Sequence, residues 1–204
     1  MSPDHERQTG AAKRALDVVL SAALILILSP LLLVIAIAVW LQDGGPPLYR
    51  QERVGRGGRT FSMWKFRTMV TNADQLRTAL VAASGELRFK DQQDPRITPV
   101  GRILRRWSLD ELPQLVSVLN GEMSLVGPRP PIPEEVAQYD ARELQRLAVT
   151  PGLTGPWQVG GRSELDFDQQ VTLDLEYIAR RGFLYDLGLL ARTIPAVLTG
   201  RGAW

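Results

Sequence analysis

The chain has 204 residues, which is enough for one domain with its own hydrophobic core and too few for us to expect two. It contains no cysteine and a single histidine, His5, which excludes disulfides, thiolate zinc sites, cysteine nucleophiles and multi-histidine metal sites. Residues 1–107 carry 16 Lys and Arg against 9 Asp and Glu, and this basic first half is as compatible with a solubilising surface as with an anionic partner.

A long apolar segment follows a flexible polar leader at residues 1–12. Residues 18–41 contain no charged side chain and are mostly Leu, Ile, Val and Ala. As one straight helix they would measure about 36 Å, which is enough to cross a hydrocarbon core of about 30 Å. The segment is too long for a signal peptide, and no small-residue cleavage site follows it. We therefore predict that residues 13–43 form a membrane helix.

The centre of this helix contains Ser29 and Pro30. Proline removes a helical hydrogen bond, and a serine hydroxyl can satisfy the freed carbonyl in lipid, so a mildly kinked spanning helix is one interpretation. Charge favours another, because Lys13 and Arg14 precede the segment and residues 44–107 hold 13 Lys and Arg. Both flanks are then expected on the cytoplasmic side. We predict a re-entrant helix, broken at Ser29-Pro30, that enters and leaves one leaflet.

The remaining residues, 44–204, are expected to form one mainly helical α+β domain. Residues 48–54 and 60–69 are rich in β-branched and aromatic side chains, and the glycine-rich sequence between them predicts a β-hairpin turn rather than a phosphate cradle. The helices that we predict are at residues 72–83, 99–106, 113–119, 133–147, 167–179 and 184–198. The loops that we predict are at residues 89–96 and 127–131, and residues 151–161 are rich in glycine and proline. The last helix suits a membrane interface, although ordinary core packing explains its apolar residues equally well.

An adjacent pair of carboxylates, Asp110 and Glu111, stands at the predicted start of the helix at 113–119. Ser108 and Glu111 fit a capping box, so one interpretation is that both acids only complement the helix dipole. Neighbouring helical residues point about 100° apart, so the alternative is that one carboxylate attacks a substrate while the other holds a metal. Arg105 lies just upstream, and Arg129 is held between prolines where it can bind a phosphate.

Six motifs distributed along nearly the whole chain resemble those of one family. They are Lys13-Arg14-Ala15-Leu16-Asp17, Ser29-Pro30, Lys65-Phe66-Arg67-Thr68-Met69, Ser108-Leu109-Asp110-Glu111-Leu112-Pro113-Gln114-Leu115, Ser124-Leu125-Val126-Gly127-Pro128-Arg129-Pro130 and Pro151-Gly152-Leu153-Thr154-Gly155-Pro156-Trp157-Gln158-Val159. With these motifs in this order, the chain resembles the monotopic phosphoglycosyl transferases. These are bacterial sugar transferases, or polyprenyl-phosphate hexose-1-phosphate transferases, that start lipid-linked glycan assembly.

The resemblance implies a two-step reaction. Asp110 would attack the sugar-bearing phosphate of a UDP-sugar and release UMP, and polyprenyl phosphate, of the undecaprenyl type, would then take the phosphosugar from Asp110. Glu111, together with Asp110, would hold Mg²⁺, with Mn²⁺ as an alternative. Arg105 and Arg129 would bind phosphate oxygens.

The resemblance also suggests roles for residues outside the carboxylate pair. Lys65 and Arg67 are weaker candidates for phosphate binding, and Gln158 and Arg162 are candidates for substrate binding. The stretch around Gln158 is closer to members that transfer glucose or galactose phosphate than to those that use acetamido sugars, although Pro156 replaces an expected larger apolar residue. The entrance of the membrane helix contains Lys13, Arg14 and Asp17, which would either fix the helix or contact lipid headgroups.

We therefore expect a monotopic enzyme on the cytoplasmic face of the bacterial inner membrane, catalysing the first membrane step of exopolysaccharide assembly. The resemblance further implies that the chain would correspond to the catalytic unit alone, since many larger relatives carry additional membrane helices and a second soluble domain. Membrane lipids are expected partners, a homodimer is left open, and nucleic acid is not expected because no recognised binding motif is present. The alternative is a scaffold of the same fold that recruits other assembly enzymes without turnover.

Overall fold

A computed structural model describes residues 3–73, 75–76 and 94–200, with side chains from residue 10 onward except that of residue 163. Much of the predicted helix at 72–83 and loop at 89–96 lies outside these residues. The α-helices are α1 (Pro3–Asp43), α2 (Pro99–Arg106), α3 (Leu115–Asn120), α4 (Pro133–Val136), α5 (Pro156–Gly160), α6 (Phe167–Arg180) and α7 (Phe183–Thr199). The strands are β1 (Leu48–Val54), β2 (Thr60–Phe66), β3 (Ser124–Val126) and β4 (Gly152–Thr154). Short 3₁₀ helices cover Arg56–Gly58, Leu109–Gln114, Glu143–Ala148 and Arg162–Glu164.

The apolar segment forms most of α1, which begins at Pro3 rather than at residue 13 and runs through Pro30. Ser29 Oγ donates to the Leu26 carbonyl over 2.8 Å, as expected for a serine beside a proline in a helix. By length and composition, the portion Gly10–Asp43 could cross a membrane. Because α1 is helical through Pro30, the structure does not confirm the predicted break of the helix, which stays a prediction.

Two hydrophobic cores attach α1 to the rest of the chain. Leu20, Leu24 and Ile25, before the Ser-Pro pair, pack against the larger core, whose buried members are Met63, Leu115, Val118, Met123, Leu125, Val126, Tyr177 and Leu189. Beyond the pair, α1 contributes Ile35 and Val39 to a second core with Phe66 and Leu104. Both ends of the apolar segment are therefore docked on the same domain.

Two small sheets complete the fold. The predicted hairpin is confirmed, with β1 and β2 antiparallel and Leu48 opposite Phe66. The turn needs glycine, because Gly57 has a φ of 68°, in the left-handed region. The strands β3 and β4 pair in parallel, with Ser124 opposite Gly152. Neither was predicted, because each is only three residues long.

Two local predictions are wrong. The predicted helix at 133–147 is only the single turn α4 and a separate 3₁₀ helix at Glu143–Ala148. The predicted capping box of Ser108 does not form, since Ser108 has left-handed backbone angles and makes no side-chain cap. A 3₁₀ helix at Leu109–Gln114 precedes α3, so the regular helix begins two residues later than predicted.

Candidate active site

The carboxylate pair lies on the 3₁₀ helix Leu109–Gln114. Ser108, with a φ of 53°, turns the chain sharply out of α2; this conformation is uncommon for a residue with a side chain, and it often marks functional sites. A 3₁₀ helix has three residues per turn, so Leu109 and Leu112 share a side, and these two leucines pack against the second and the larger core respectively. This anchoring presents Asp110 and Glu111 about 120° apart on the other sides.

Glu111 joins three chain segments through one oxygen. Its Oε1 accepts from Lys65 Nζ over 3.2 Å and from Arg129 Nη1 over 3.0 Å. Lys65 comes from β2, where the two-residue alternation of a strand places it on the same face as buried Met63. The structure therefore brings together four of the predicted site residues, with Asp110 next to this ion-pair cluster.

The two neighbouring carboxyl groups differ in acidity. Burial raises the pKa of Asp110, and the charge of Glu111 beside it adds to this effect. Burial also acts to raise the pKa of Glu111, but the charges of Arg129 and Lys65 outweigh it and lower that pKa to about 2. Glu111 is thus a fixed anion, whereas Asp110 is the more basic carboxyl group. This separation of two adjacent acids is typical of a pair with divided roles.

Lys65 is affected by the same burial. Desolvation lowers the pKa of its ammonium group to about 8, because the charge of Glu111 offsets only part of the desolvation. The charge of Glu111 acts in the opposite direction on Arg129 and raises the pKa of its guanidinium. Both side chains are therefore cations at neutral pH.

Arg129 follows β3 in a loop that is held on both sides. On one side, the Gly127 amide donates to the Thr154 carbonyl of β4 over 2.9 Å, and the Gly152 amide donates to the Pro128 carbonyl over 2.8 Å. On the other side, the Val54 amide donates to the carbonyl of Pro131 over 2.9 Å. The predicted rigidity of this proline-rich loop is therefore provided by strands of both sheets.

Arg105 lies on the side of Asp110 that faces α2. Its Nε donates to Thr68 Oγ1 over 3.0 Å. Burial lowers the pKa of Arg105, and the negative charge of Asp110 opposes that shift. Arg105 is therefore a cation whose charge interacts with that of Asp110.

Arg53 is a cation of this cluster that sequence reasoning missed. It comes from β1, and its Nη1 donates to the Pro130 carbonyl over 2.9 Å. Burial lowers its pKa to about 10, as does the charge of Arg129, while Glu111 acts in the opposite direction. The sequence signal was weak, because Arg50, Arg56 and Arg59 surround Arg53 in the same hairpin.

Arg67, a predicted phosphate ligand, is engaged elsewhere. Its guanidinium donates to both carboxylate oxygens of Asp43, each over 2.5 Å, and to the Pro46 carbonyl over 2.7 Å. Asp43 is the last residue of α1, so these bonds tie the exit of the membrane helix to β2. The described contacts of Arg67 therefore stabilise the fold and do not join it to Glu111.

Gln158 and Arg162 lie near the cluster without direct contact to it. Gln158 Nε2 donates to the Leu153 carbonyl over 2.9 Å, and Arg162 Nε donates to the Gln158 carbonyl over 3.1 Å. Burial lowers the pKa of Arg162, and the charge of Glu111 partly offsets that effect. Arg162 also has a left-handed φ of 51°. Its substrate-binding role stays a prediction.

The three predicted entrance residues dock α1 onto the domain. Lys13 Nζ donates to Asp186 Oδ2 over 2.5 Å and to the Val126 carbonyl over 3.0 Å. Arg14 donates to the carbonyls of residues 118 and 119, at the end of α3, over 2.6 and 2.7 Å. Asp17 Oδ1 accepts from the amide of residue 125 over 3.0 Å. These contacts join α1 to the domain, and the predicted role of the three residues at the helix entrance stays a prediction.

A metal ion would have few protein ligands here. Among the side chains of residues 10–73, 75–76 and 94–200, no three carboxylates converge. The site offers Asp110 and Glu111, and Mg²⁺ at phosphate-transfer sites commonly uses one or two carboxylates together with substrate phosphates and water. The pair therefore fits Mg²⁺ when a diphosphate completes its ligands.

Comparisons with known proteins find sequence similarity along nearly the whole chain. The family described as bacterial sugar transferase matches residues 8–200. The exopolysaccharide production protein ExoY of Sinorhizobium fredii is 42% identical over 96% of this chain and 89% of its own length. The undecaprenyl-phosphate galactose phosphotransferase of Salmonella typhimurium is 42% identical over 98% of this chain and 43% of its own length. The undecaprenyl-phosphate glucose phosphotransferase of Komagataeibacter xylinus is also 42% identical, over 94% of this chain and 37% of its own length.

Proposed function

Because the chain belongs to the bacterial sugar transferase family and is a transferase, we propose that it moves a sugar-1-phosphate from a UDP-sugar to undecaprenyl phosphate or a similar polyprenyl phosphate. The observation that carries this proposal is the buried carboxyl group of Asp110, 9% exposed, beside the cations Lys65, Arg105 and Arg129. Such a cluster attracts a diphosphate to a nucleophile. The first relative is named for exopolysaccharide production, which makes that process the proposed context.

The first step forms a covalent bond to Asp110. A carboxylate oxygen of Asp110 attacks the phosphorus that carries the sugar, the bond from that phosphorus to the bridging oxygen breaks, and UMP leaves. The product is an acyl phosphate that still bears the sugar. Arg129 and Arg105 bind phosphate oxygens and stabilise the negative charge that develops on them in the transition state.

The second step regenerates the enzyme. A phosphate oxygen of the lipid attacks the same phosphorus, and the bond between phosphorus and Asp110 breaks. The product is polyprenyl diphosphate bearing the sugar, and Asp110 is again a free carboxylate. The raised pKa of Asp110 favours its own attack in the first step, since a more basic carboxylate is a better nucleophile.

We propose Mg²⁺ as the cofactor, with Mn²⁺ as a substitute. Asp110 and Glu111 would hold it together with substrate phosphates, and it would neutralise charge on the diphosphate so that UMP leaves more readily. The contribution of the chain is to keep Glu111 ionised, because the charges of Arg129 and Lys65 lower the pKa of this carboxylate.

The membrane helix supports a monotopic arrangement. Side chains as far as Ile25 pack on the larger core, and side chains from Leu32 onward pack on the second core. Between them, Leu26 is 76% exposed and Ile27 is 70% exposed. The intervening residues span about 10 Å as a helix, far less than a hydrocarbon core of about 30 Å. We therefore propose that Ser29 and Pro30 lie at the deepest point of a re-entrant segment.

The proposed topology places the domain on the cytoplasmic face of the inner membrane. The chain contains no cysteine, so single cysteines at Ala11 and Glu52 can each be labelled without background. An impermeant thiol reagent should label neither in intact cells and both in inverted vesicles. Labelling of Ala11 alone from outside would instead establish a spanning helix.

The activity is tested with purified protein in lipid nanodiscs containing undecaprenyl phosphate and Mg²⁺. Wild type should release UMP from a UDP-hexose, with UDP-glucose and UDP-galactose preferred to acetamido sugars. Asp110→Asn should release none and form no phosphosugar adduct, while Asp168→Asn, which changes an exposed carboxylate on α6, should behave as wild type. Unchanged release by Asp110→Asn would remove it as the nucleophile. If wild type releases no UMP from any UDP-sugar, the proposed transferase activity is contradicted and the alternative, a non-catalytic scaffold, is favoured.

A further inference from the structure

Four groups from four elements meet at the entrance of α1. Lys13 of α1 donates to Asp186 of α7 over 2.5 Å, and Tyr177 of α6 donates to Asp186 Oδ1 over 2.8 Å. Lys13 also donates to the Val126 carbonyl at the end of β3 over 3.0 Å, and the same carbonyl lies 3.1 Å from the Tyr177 hydroxyl, whose single proton serves either Asp186 or Val126. We call Lys13, Tyr177 and Asp186 the entrance clamp.

Two of the three residues of the entrance clamp are buried, and Lys13 is partly exposed. Asp186 is 2% exposed and Tyr177 is 1% exposed. Burial raises the pKa of the Tyr177 hydroxyl, as does the charge of Asp186, so the hydroxyl stays a donor. Apolar packing could attach a helix without the cost of desolvating an ion pair. Hydrogen bonds add a fixed direction, and the bond from Lys13 holds the Val126 carbonyl beside the Tyr177 hydroxyl.

Val126 is connected to the active site by a short, closely packed path. Gly127 and Pro128 separate it from Arg129. A Cβ atom on Gly127 would lie 2.6 Å from the carbonyl oxygen of Thr150, and Pro128 is fully buried, so this path has little freedom to relax. A shift of the Val126 carbonyl would be passed along this packed path to Arg129.

We propose that the three residues of the entrance clamp are positioning residues. Through them, the way in which the membrane helix α1 docks on the domain determines the position of Arg129 relative to Glu111. This inference rests on the proposed function. Arg129 then takes its productive position when α1 is seated in the leaflet that supplies the lipid acceptor. None of the three clamp residues touches the reacting atoms.

The test measures UMP release per folded molecule in nanodiscs for Lys13→Met, with the adduct on Asp110 used to count competent sites. We expect a turnover rate roughly 10- to 100-fold below wild type, since displacement of a catalytic group by about 1 Å can cost 100-fold. Lys13→Arg should recover part of the loss. The control is Arg142→Met, which removes an exposed ion pair with Asp168 and should leave the rate unchanged.

A second measurement separates positioning from general stability. If Lys13 acts through Arg129, Lys13→Met should slow an Arg129→Lys enzyme far less than it slows wild type. Equal slowing in both backgrounds, or a wild-type rate for Lys13→Met, would overturn the clamp. A wild type that releases no UMP would instead contradict the proposed function.

Tyr177→Phe is a second variant that tests the entrance clamp if the Lys13→Met protein does not fold. It keeps the ring in the core and removes only the hydroxyl, which lies within hydrogen-bond distance of the Val126 carbonyl and of Asp186. We expect a smaller loss, about 3- to 10-fold, with the same dependence on Arg129. A folded Tyr177→Phe enzyme with the wild-type rate would also overturn the inference.

Discussion

Arg129 Nη1 lies 3.0 Å from Glu111 Oε1, and this ion pair joins the loop after β3 to the 3₁₀ helix that carries the carboxylates. The same oxygen also accepts from Lys65. One anion therefore orients two cations from different elements, which leaves a cluster with more positive than negative groups around Asp110. That balance suits a substrate with a diphosphate.

Arg129→Lys tests the geometry of this pair. Lysine keeps the charge but lacks the planar fork that can bind Glu111 and a phosphate together. We expect the rate of UMP release to fall about 10- to 100-fold. Arg142→Lys at an exposed ion pair is the control and should be neutral. A wild-type rate for Arg129→Lys would show that charge alone is sufficient.

Arg53→Lys tests the cation that the sequence did not reveal. Arg53 holds the Pro130 carbonyl and pairs with Gln51 Oε1 over 2.7 Å, which one lysine ammonium cannot reproduce. We expect turnover to fall about tenfold through displacement of Arg129. The matched variant is Arg50→Lys on the same strand, since Arg50 is exposed over Trp64 and should be dispensable. Equal activity of the two variants would contradict the role of Arg53.

Gly152→Ala should destabilise the fold at the β3–β4 pair. A Cβ atom at Gly152 would lie 2.0 Å from the Gly127 nitrogen, so the two strands must separate. We expect the midpoint of thermal unfolding in detergent to fall by several degrees, for a loss of about 1–3 kcal/mol. Gly188→Ala is the contrasting variant, because nothing lies within 4 Å of its added Cβ. It should stabilise α7 by about 0.5–1 kcal/mol.

Asp174 should give the stability a specific pH dependence. Burial raises its pKa from 3.8 to about 6, although Arg146 opposes this shift. The native state then binds the proton more tightly than the unfolded chain, so this group lowers the free energy of unfolding as pH rises from about 4 to about 6. The contribution is on the order of 2–3 kcal/mol.

The measurement compares thermal unfolding of wild type and Asp174→Asn in detergent at pH 4.5 and pH 7. The variant should be less stable overall, because Arg146 loses a buried partner at 2.7 Å, but its unfolding temperature should decline less between the two pH values. Asp168→Asn, at an exposed pair, should follow wild type. Parallel declines for Asp174→Asn and wild type would contradict the raised pKa.

Local patterns were sufficient for the elements with a clear period. Alternating and β-branched residues predicted β1 with its observed bounds, and a proline start with a basic end predicted α2 at residues 99–106. The same reasoning failed at Ser108, where a motif typical of a capping box takes a left-handed turn. Propensity describes average local preference, and the packing of Leu109 and Leu112 on two cores outweighs it here.

The sequence by itself determined the chemistry that is available: no thiol, one histidine in the leader, an adjacent acid pair, basic residues and an apolar segment of membrane length. Only the tertiary structure decided which cations meet Glu111, that Arg67 binds Asp43 instead, and that Lys13 reaches Asp186, 173 residues away. The physical reason is the sequence separation over which each kind of interaction acts. Helices, strands and turns follow from interactions over a few residues, whereas ion pairs between distant segments depend on how those elements pack.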